Sequence, residues 1–177
     1  MPKKLYTIGH STHSLEEFME ILQAHNIKQL IDVRTVPKSR HVPWSNSPQL
    51  KASLAKRKIA YKHLSALGGL RSTNKNSING AWRNKSFRGY ADYMQTENFF
   101  TGLKILMQFI KDKQNVVIMC AEAVPWRCHR SLIADALLVR NYKVWHIYSR
   151  TSVKLHKMTS FSKVDRSKRP IKVYYPA

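Results

Sequence analysis

A short, continuously apolar stretch near the middle of the chain constrains the fold most. The run NVVIMC, residues 115–120, is rich in β-branched side chains and carries no charge. Such a run is typical of a central parallel strand that is buried on both faces of its sheet. Parallel strands need long crossover connections, usually helices, so the rest of the chain must supply helices that cover both faces.

The remaining sequence alternates between strand and helix patterns. Ser14 and Glu17 form a capping-box signature that opens a helix, and apolar residues then recur with helical spacing. We predict strands at residues 5–8, 28–33, 59–64, 115–120 and 143–147, and helices at 14–26, 49–58, from FRGYADYM at 87–94 to about 112, and at 129–140. This alternation predicts a single-domain α/β three-layer sandwich with a mostly parallel, Rossmann-like central sheet.

The length of 177 residues suits one domain with one core. We assign residues 1–150 to the α/β domain and 151–177 to a basic, irregular C-terminal extension, because no clear period runs through that tail. Residues 65–87 read as a long surface loop, in which Trp82 is expected to be exposed. The apolar runs, about six residues at most, are too short for a membrane span, and no secretory-signal pattern is present. We therefore expect a cytoplasmic protein without a membrane partner.

Charge is the most unusual feature of the composition. Lys and Arg number 31 against 10 Asp and Glu, a formal net charge of +21. Between Asp32 and Asp92 there is no acidic residue, while thirteen Lys or Arg occur. Because this asymmetry costs stability through self-repulsion, we expect a polyanionic partner, a nucleic acid or a nucleotide. A general solubility effect is the alternative.

Several polar residues follow predicted strands and should meet at one edge of the sheet. His10 and Ser11 follow the first strand, Asp32 and Arg34 end the second, and Cys120 with Glu122 end the fourth. In open parallel sheets, ligands bind beyond the carboxyl ends of the strands. Asp32 and Arg34 can pair with each other, or Arg34 can face an anion. The sequence leaves both open.

The segment CAEAVPWRCHR, Cys120 to Arg130, carries the strongest chemical signal. Cys128, His129 and Arg130 lie near the start of a helix, where a cysteine beside His and Arg has a lowered pKa. Glu122 is the acid among nearby arginines and is suited to acid–base chemistry. We predict Cys120, Glu122, Cys128 and His129 as catalytic residues; in the alternative, both thiols are buried and structural, and Glu122 pairs with an arginine.

The two cysteines are too few for a disulfide framework, and we expect reduced thiols. Their spacing before His129 fits no common zinc pattern, so we predict no metal and no cofactor. The candidates for ligand or anion binding are the polar and basic residues of the predicted edge and of the basic loops, namely His10, Ser11, Asp32, Arg34, Arg40, Arg71, Arg88, Tyr90, Arg127 and Arg130.

Five motifs together resemble a bacterial group, domain-of-unknown-function family 488. They are TIGHSTHSLEEF, LIDVRTVPKSR, LGGLR, FRGYADYM and MCAEAVPWRCHR. The resemblance implies a compact α/β domain without a settled activity. Carried over to this sequence, it implies a site at His10, Ser11, Asp32, Arg34, Arg88, Tyr90, Cys120, Glu122, Cys128, His129 and Arg130. Thr12-His13 departs from the usual pattern of the family.

Three functions follow as hypotheses. The first is an enzyme that acts on a nucleic acid or nucleotide through a Cys/Glu/His/Arg site at the edge of the sheet. The second is a non-catalytic nucleic-acid-binding module in which the cysteines and Glu122 are structural. The third is a small-molecule thiol enzyme of the sulfur-transfer type, whose positive charge is incidental.

Overall fold

The predicted α/β architecture is confirmed in the computed structural model, which describes residues 2–177. In chain order the elements are β1 (Lys3–Gly9), α1 (Leu15–Ala24), β2 (Gln29–Asp32), α2 (Ser47–Lys56), β3 (Ala60–His63), α3 (Lys85–Tyr93), α4 (Glu97–Asp112), β4 (Val116–Cys120), α5 (Arg130–Leu138), β5 (Tyr142–Ile147), β6 (Val153–Leu155), β7 (Lys163–Asp165) and β8 (Lys172–Tyr174). Short 3-10 turns lie at Pro43–Ser45, Ser65–Leu67 and Pro125–Arg127. None of the helices in residues 2–177 is both long and apolar enough to cross a membrane.

The six-stranded sheet has the order β3-β2-β4-β1-β5-β6. The pairs among the first five strands are parallel, and β6 joins β5 in the antiparallel direction. Strand β4 pairs with β1 on one side and β2 on the other, and all five of its residues are buried. This central position accounts for the uninterrupted apolar run in the sequence.

The helices cover both faces of the sheet. Helices α1 and α2 pack on one face through apolar residues such as Phe18 and Leu50, and α4 and α5 pack on the other through residues such as Leu103 and Leu132. Strand β2 is therefore followed by a helix on one face and its neighbour β4 by a helix on the opposite face. This divergence opens a crevice at the carboxyl ends of the two strands, where open α/β sheets bind ligands.

Local signals set several helix boundaries. The Ser14 hydroxyl accepts a hydrogen bond from the Glu17 backbone N–H, as the capping-box pattern predicts. Thr96 caps α4 through the Phe99 N–H, and Asn84 caps α3 through the N–H groups of Ser86 and Phe87. Each cap satisfies backbone donors that a helix leaves unpaired at its first turn.

The expectation of an irregular C-terminal extension was wrong. Strand β6 extends the main sheet, and β7 and β8 form a separate antiparallel pair. Val173 is buried, and Tyr175 is fully buried in the core beneath α5. The strands of the tail are only three residues long, so they show no periodicity, and non-local packing decides their conformation.

The loop at residues 72–86 is tied down by an acidic residue on α3. The Asp92 carboxylate accepts hydrogen bonds from the Asn74 backbone N–H and from the side chains of Ser77 and Asn79. Trp82 is partly buried, since its ring packs with Phe87, Phe161 and Tyr175. The prediction that Trp82 is an exposed platform was wrong, because aromatic residues of the C-terminal segment cover it.

Candidate functional site

A cavity of about 440 Å³ occupies the crevice at the carboxyl ends of β2 and β4. Four segments that are distant in the sequence line it, namely residues 34–38, 69–70, 84–87 and 120–129. Six of the residues predicted from the sequence reach its wall: Arg34, Cys120, Glu122, Arg127, Cys128 and His129. Asn84 and Ser86 also line it but were not predicted, because only tertiary folding brings the segment that carries them to this edge.

Cys120 and Cys128 meet in this wall. Their Sγ atoms are paired as a disulfide, with the Cα atoms 7.5 Å apart, and both residues are buried. The expectation of two reduced thiols is therefore corrected, because the two sulfurs are paired with each other at the edge of the sheet. The eight-residue spacing did not predict this pairing, because it depends on the path of the 125–127 turn.

His129 is held in one orientation beside these sulfurs. Its Nε2 lies 2.8 Å from the Val33 carbonyl oxygen, which accepts only, so Nε2 carries the proton. Burial lowers the pKa of His129 to about 4, and the ring is therefore neutral at pH 7. The lone pair of Nδ1 consequently faces Cys128 Sγ at 3.6 Å.

Two neighbours shape the position of the His129 ring. A Cβ atom at Gly69 would lie 2.6 Å from His129 Nδ1, so only glycine leaves room for the imidazole there. The Tyr90 ring packs against it with centroids 5.0 Å apart. Tyr90 is fully buried and donates its hydroxyl hydrogen bond to the Leu67 carbonyl. It supports His129 from behind and does not line the cavity.

Arg34 and Asp32 pair with each other, one of the two arrangements left open by the sequence. The guanidinium Nε and Nη2 of Arg34 donate to the two carboxylate oxygens of Asp32 at 2.9 and 2.7 Å. The remaining N–H groups of Arg34 reach Ser45 and His10 Nε2, and none is left for a ligand. Burial raises the pKa of Tyr61 to about 12, so its hydroxyl stays protonated and donates to Asp32.

The first strand supports this arrangement. His10 is buried, and burial lowers its pKa, which leaves Nε2 able to accept from Arg34. Ser11 adopts a positive φ of 47°, and its backbone N–H donates to the Ala121 carbonyl. A Cβ at Gly9 would overlap the Glu122 carbonyl, so this strand end approaches the 121–123 backbone more closely than other residues allow.

Three arginine candidates, Arg71, Arg88 and Arg40, lie outside the lining of this cavity. Arg71 donates to the carbonyls of Gly68 and Ser65 and lies over the Tyr93 ring at 3.7 Å. Arg88 donates to the Trp82 carbonyl. Arg40 is exposed in the loop before the Pro43–Ser45 turn. The first two hold loops in place, whereas Arg40 is free of such contacts among residues 2–177.

Glu122 and Arg127 project from the exposed part of the 120–129 segment. The Glu122 carboxylate makes no ion pair within the described chain, while its backbone carbonyl accepts from Arg130 Nη2 at 2.7 Å. Glu122 does contact an arginine, as one alternative predicted, but it does so through its backbone carbonyl. Its carboxylate remains at the cavity wall.

Arg130 begins a buried polar chain that was not predicted. Its side chain is fully buried, and burial lowers its pKa to about 10, so it remains charged at pH 7. Its Nη1 donates to Thr7, whose hydroxyl lies 2.6 Å from His146 Nδ1. His146 Nε2 contacts His156 Nδ1 at 2.9 Å, and His156 Nε2 reaches Asp135 at 2.8 Å.

The far end of this chain ties the C-terminal segment to α5. Asp135 accepts further hydrogen bonds from the Tyr175 hydroxyl at 2.8 Å and from the Thr159 backbone N–H at 3.1 Å. The Arg130–Asp135 chain, as we call Arg130, Thr7, His146, His156 and Asp135, links residues up to 139 positions apart. Sequence patterns do not reveal such contacts.

In residues 2–177, no three His, Cys, Asp or Glu side chains come together as a metal site would require.

Comparison with known proteins adds one result. A family model described as domain of unknown function DUF488 matches residues 14–137, which include β2, β4 and the Cys120–Arg130 segment. Neither a curated protein nor a solved structure matches the chain. Because the match covers more than half of the chain, this protein belongs to the family described as domain of unknown function DUF488.

Proposed function

We propose that this protein is an enzyme that acts on a nucleic acid or nucleotide, with Cys128 as its thiol nucleophile. One observation carries the proposal. His129 is neutral and fixed by Val33, and its free Nδ1 faces Cys128 Sγ at 3.6 Å. A nucleophile beside a base that a third group orients is the arrangement common to thiol and serine enzymes.

The chemistry requires the reduced form of the Cys120–Cys128 pair. The Cys128 thiol then gives its proton to His129 Nδ1, and the thiolate attacks an electrophilic carbon of the substrate. A C–S bond forms as the bond to the leaving group breaks, and the leaving group takes the proton from His129. Water then releases the product and restores the thiol. The Arg130 backbone N–H, 3.5 Å from Cys128 Sγ, supports the thiolate.

Charge around the cavity supports an anionic substrate. Lys38 and Arg127 lie in its lining and, unlike Arg34, form no salt bridge with a carboxylate in residues 2–177. Asn84 and Ser86 add polar groups, and Phe87 adds an aromatic surface. With a net charge of +21, this lining suits a phosphate-bearing substrate with a planar base. Glu122 is the acid that can serve the leaving group or the attacking water.

The contact between the two sulfurs favours a second candidate, a small-molecule thiol enzyme of the sulfur-transfer type. In that case the Cys128 thiolate takes a sulfane sulfur from a persulfide donor, whose own thiolate leaves. Attack by the Cys120 thiol on the inner sulfur then releases the outer sulfur as sulfide and forms the disulfide, which an external dithiol reduces before the next cycle. A persulfide on Cys128, detected by mass spectrometry of the protein, is specific to this candidate.

The test combines binding and turnover. Labelled single- and double-stranded DNA and RNA are titrated with the reduced protein as salt is raised to physiological strength. The polymer that binds best, and nucleotides, are then incubated with the wild type, with Cys128→Ser and with Cys120→Ser, and the products are analysed by mass spectrometry. Unchanged binding with lost turnover in Cys128→Ser supports the enzyme. Equal turnover in the wild type and Cys128→Ser contradicts Cys128 as the nucleophile, and no detectable product from either protein favours the non-catalytic module.

A further inference from the structure

A second cavity, of about 470 Å³, lies on the other side of the Pro125–Arg127 turn. It shares no lining residue with the first cavity: Arg127 faces the first and Trp126 faces the second. The C-terminal segment forms much of its wall through residues 154–157 and Thr159. The segment expected to be irregular therefore builds part of a defined concave surface.

The histidines of this cavity are unsuited to metal binding or proton transfer with a ligand. His146 and His156 both line the cavity, yet each of their ring nitrogens is engaged within the Arg130–Asp135 chain. Their rings lie edge to face with centroids 5.0 Å apart. No imidazole nitrogen is left for a ligand, so the two rings serve as a rigid wall.

Aromatic rings provide the accessible apolar surface. Trp126 is 62% exposed, which is unusual for a residue of its size and leaves most of the indole open to solvent. Tyr148 lies beside it, with ring centroids 6.4 Å apart and planes inclined by 38°. Two adjacent aromatic rings at a cavity mouth suit a planar ring that stacks on them.

Positive charge lies next to this aromatic pair. Lys154 Nζ is 5.6 Å from the Tyr148 ring centroid, and the exposed Lys157 lies in the same wall. The lining of this cavity contains no Asp or Glu. This surface suits a ligand that combines a flat aromatic group with a nearby anion, as a nucleotide does.

We propose that the second cavity binds one nucleotide of a single-stranded nucleic acid, with its base on Trp126 and Tyr148 and its phosphate at Lys154 and Lys157. The inference rests on the proposed function and limits the substrate of the proposed enzyme to a nucleic-acid polymer. A strand that crosses the Pro125–Arg127 turn places one nucleotide here and another beside Cys128. A single strand is required, because its bases are free to stack on protein rings.

The test measures binding of a labelled single-stranded oligonucleotide of about ten nucleotides. Trp126→Ala is expected to weaken binding about 10-fold or more, in line with the stacking of one base. The matched control is Ile105→Ala, which removes an exposed apolar side chain on α4. Lys154→Gln with Lys157→Gln is expected to reduce the log–log salt slope by about 0.7, since the contact with one phosphate is lost. Lys111→Gln with Lys113→Gln removes the same charge at an exposed position elsewhere.

The proposal is overturned if Trp126→Ala binds as tightly as Ile105→Ala, or if the two lysine pairs change the slope equally. Preferential binding of a duplex or of a peptide by the wild type, unaffected by Trp126→Ala, also overturns it. These readouts need no turnover and are made with the Cys128→Ser protein as well. Failure of the enzyme proposal, in which Cys128→Ser leaves the products unchanged, is thus distinguished from failure of this one.

Discussion

The two cavities beside the Pro125–Arg127 turn use histidine in opposite ways. In the first, Nε2 of His129 donates to the Val33 carbonyl, and Nδ1 lies 3.6 Å from Cys128 Sγ. In the second, every ring nitrogen of His146 and His156 is taken by a protein partner. The hydrogen-bond partners thus leave a ring nitrogen available in the first cavity and none in the second, which is why we propose chemistry for the first and binding for the second.

The largest expected effect tests the chemical role that we propose for the first cavity. Cys128→Ser is expected to lower turnover about 10⁴-fold or more, because a hydroxyl beside a neutral imidazole is a far weaker nucleophile than a thiolate. The measurement is single-turnover kinetics on the polymer that binds best, under reducing conditions. Cys120→Ser is the matched control and should retain most of the activity. An equal loss in both variants would place the sulfur pair, rather than Cys128, at the centre of the reaction.

The second prediction tests the hydrogen-bonded histidines of the second cavity. Asp135→Ala removes the acceptor shared by His156, Tyr175 and the Thr159 N–H, leaving buried groups unpaired. The free energy of unfolding is expected to fall by about 3 to 5 kcal/mol, as measured by urea denaturation. Asp112→Ala, at the exposed end of α4, should change it by no more than about 0.5 kcal/mol. A small effect of Asp135→Ala would show that the Arg130–Asp135 chain contributes little to the free energy of unfolding.

A third prediction tests how tightly His129 must be placed. Gly69→Ala puts a methyl carbon 2.6 Å from Nδ1 of His129, which is too close for the ring to stay in place. Turnover is expected to fall about 100-fold, since small displacements of a catalytic group are costly. Gly80→Ala, whose added Cβ meets only the end of the chain at Ala177, is the control. Full activity in Gly69→Ala would argue against His129 as the base.

The smallest effect concerns pH. Burial lowers the pKa of His129 to about 4 and that of His146 to about 3, both below the ordinary value of 6.5. Between those values the unfolded chain binds more protons than the folded protein, so stability is full above pH 6.5 and is lost as the pH falls. Each histidine should contribute about 1.4 kcal/mol per pH unit in that range.

Urea unfolding at pH 7, 6 and 5 measures this slope. His129→Gln should reduce the slope by about 1.4 kcal/mol per pH unit, the contribution of one proton. The control is His41→Gln, at an exposed position. A slope in His129→Gln equal to that of the wild type would mean that His129 does not titrate as its burial requires.

Much of the architecture was predictable from local patterns. The apolar run at 115–120 predicted a central strand, and β4 indeed pairs on both sides. Ser14 and Glu17 marked the start of α1. Of the residues predicted at the carboxyl ends of the strands, Arg34, Cys120 and Glu122 line one cavity wall, whereas His10, Ser11 and Asp32 do not. The predictions of the fold that hold rest on neighbours in the sequence or on a regular topology.

The placement of individual side chains was less predictable. Tyr90 was expected at the ligand site, yet it is buried behind His129. Trp82 was expected in solvent, yet Phe161 and Tyr175 cover it. In both cases the covering residues come from elsewhere in the chain, and a local pattern carries no information about them.

By itself, the sequence determined the alternation of strands and helices, the central position of β4, the family and the excess of positive charge, because these depend on residue type and short-range spacing. Only the tertiary structure decided the pairing of Cys120 with Cys128, the free nitrogen of His129, the saturation of Arg34 and the anchoring of the C-terminal segment on Asp135. Those features arise where distant segments meet, and their energetics depend on burial and hydrogen-bond partners that the folded chain alone supplies.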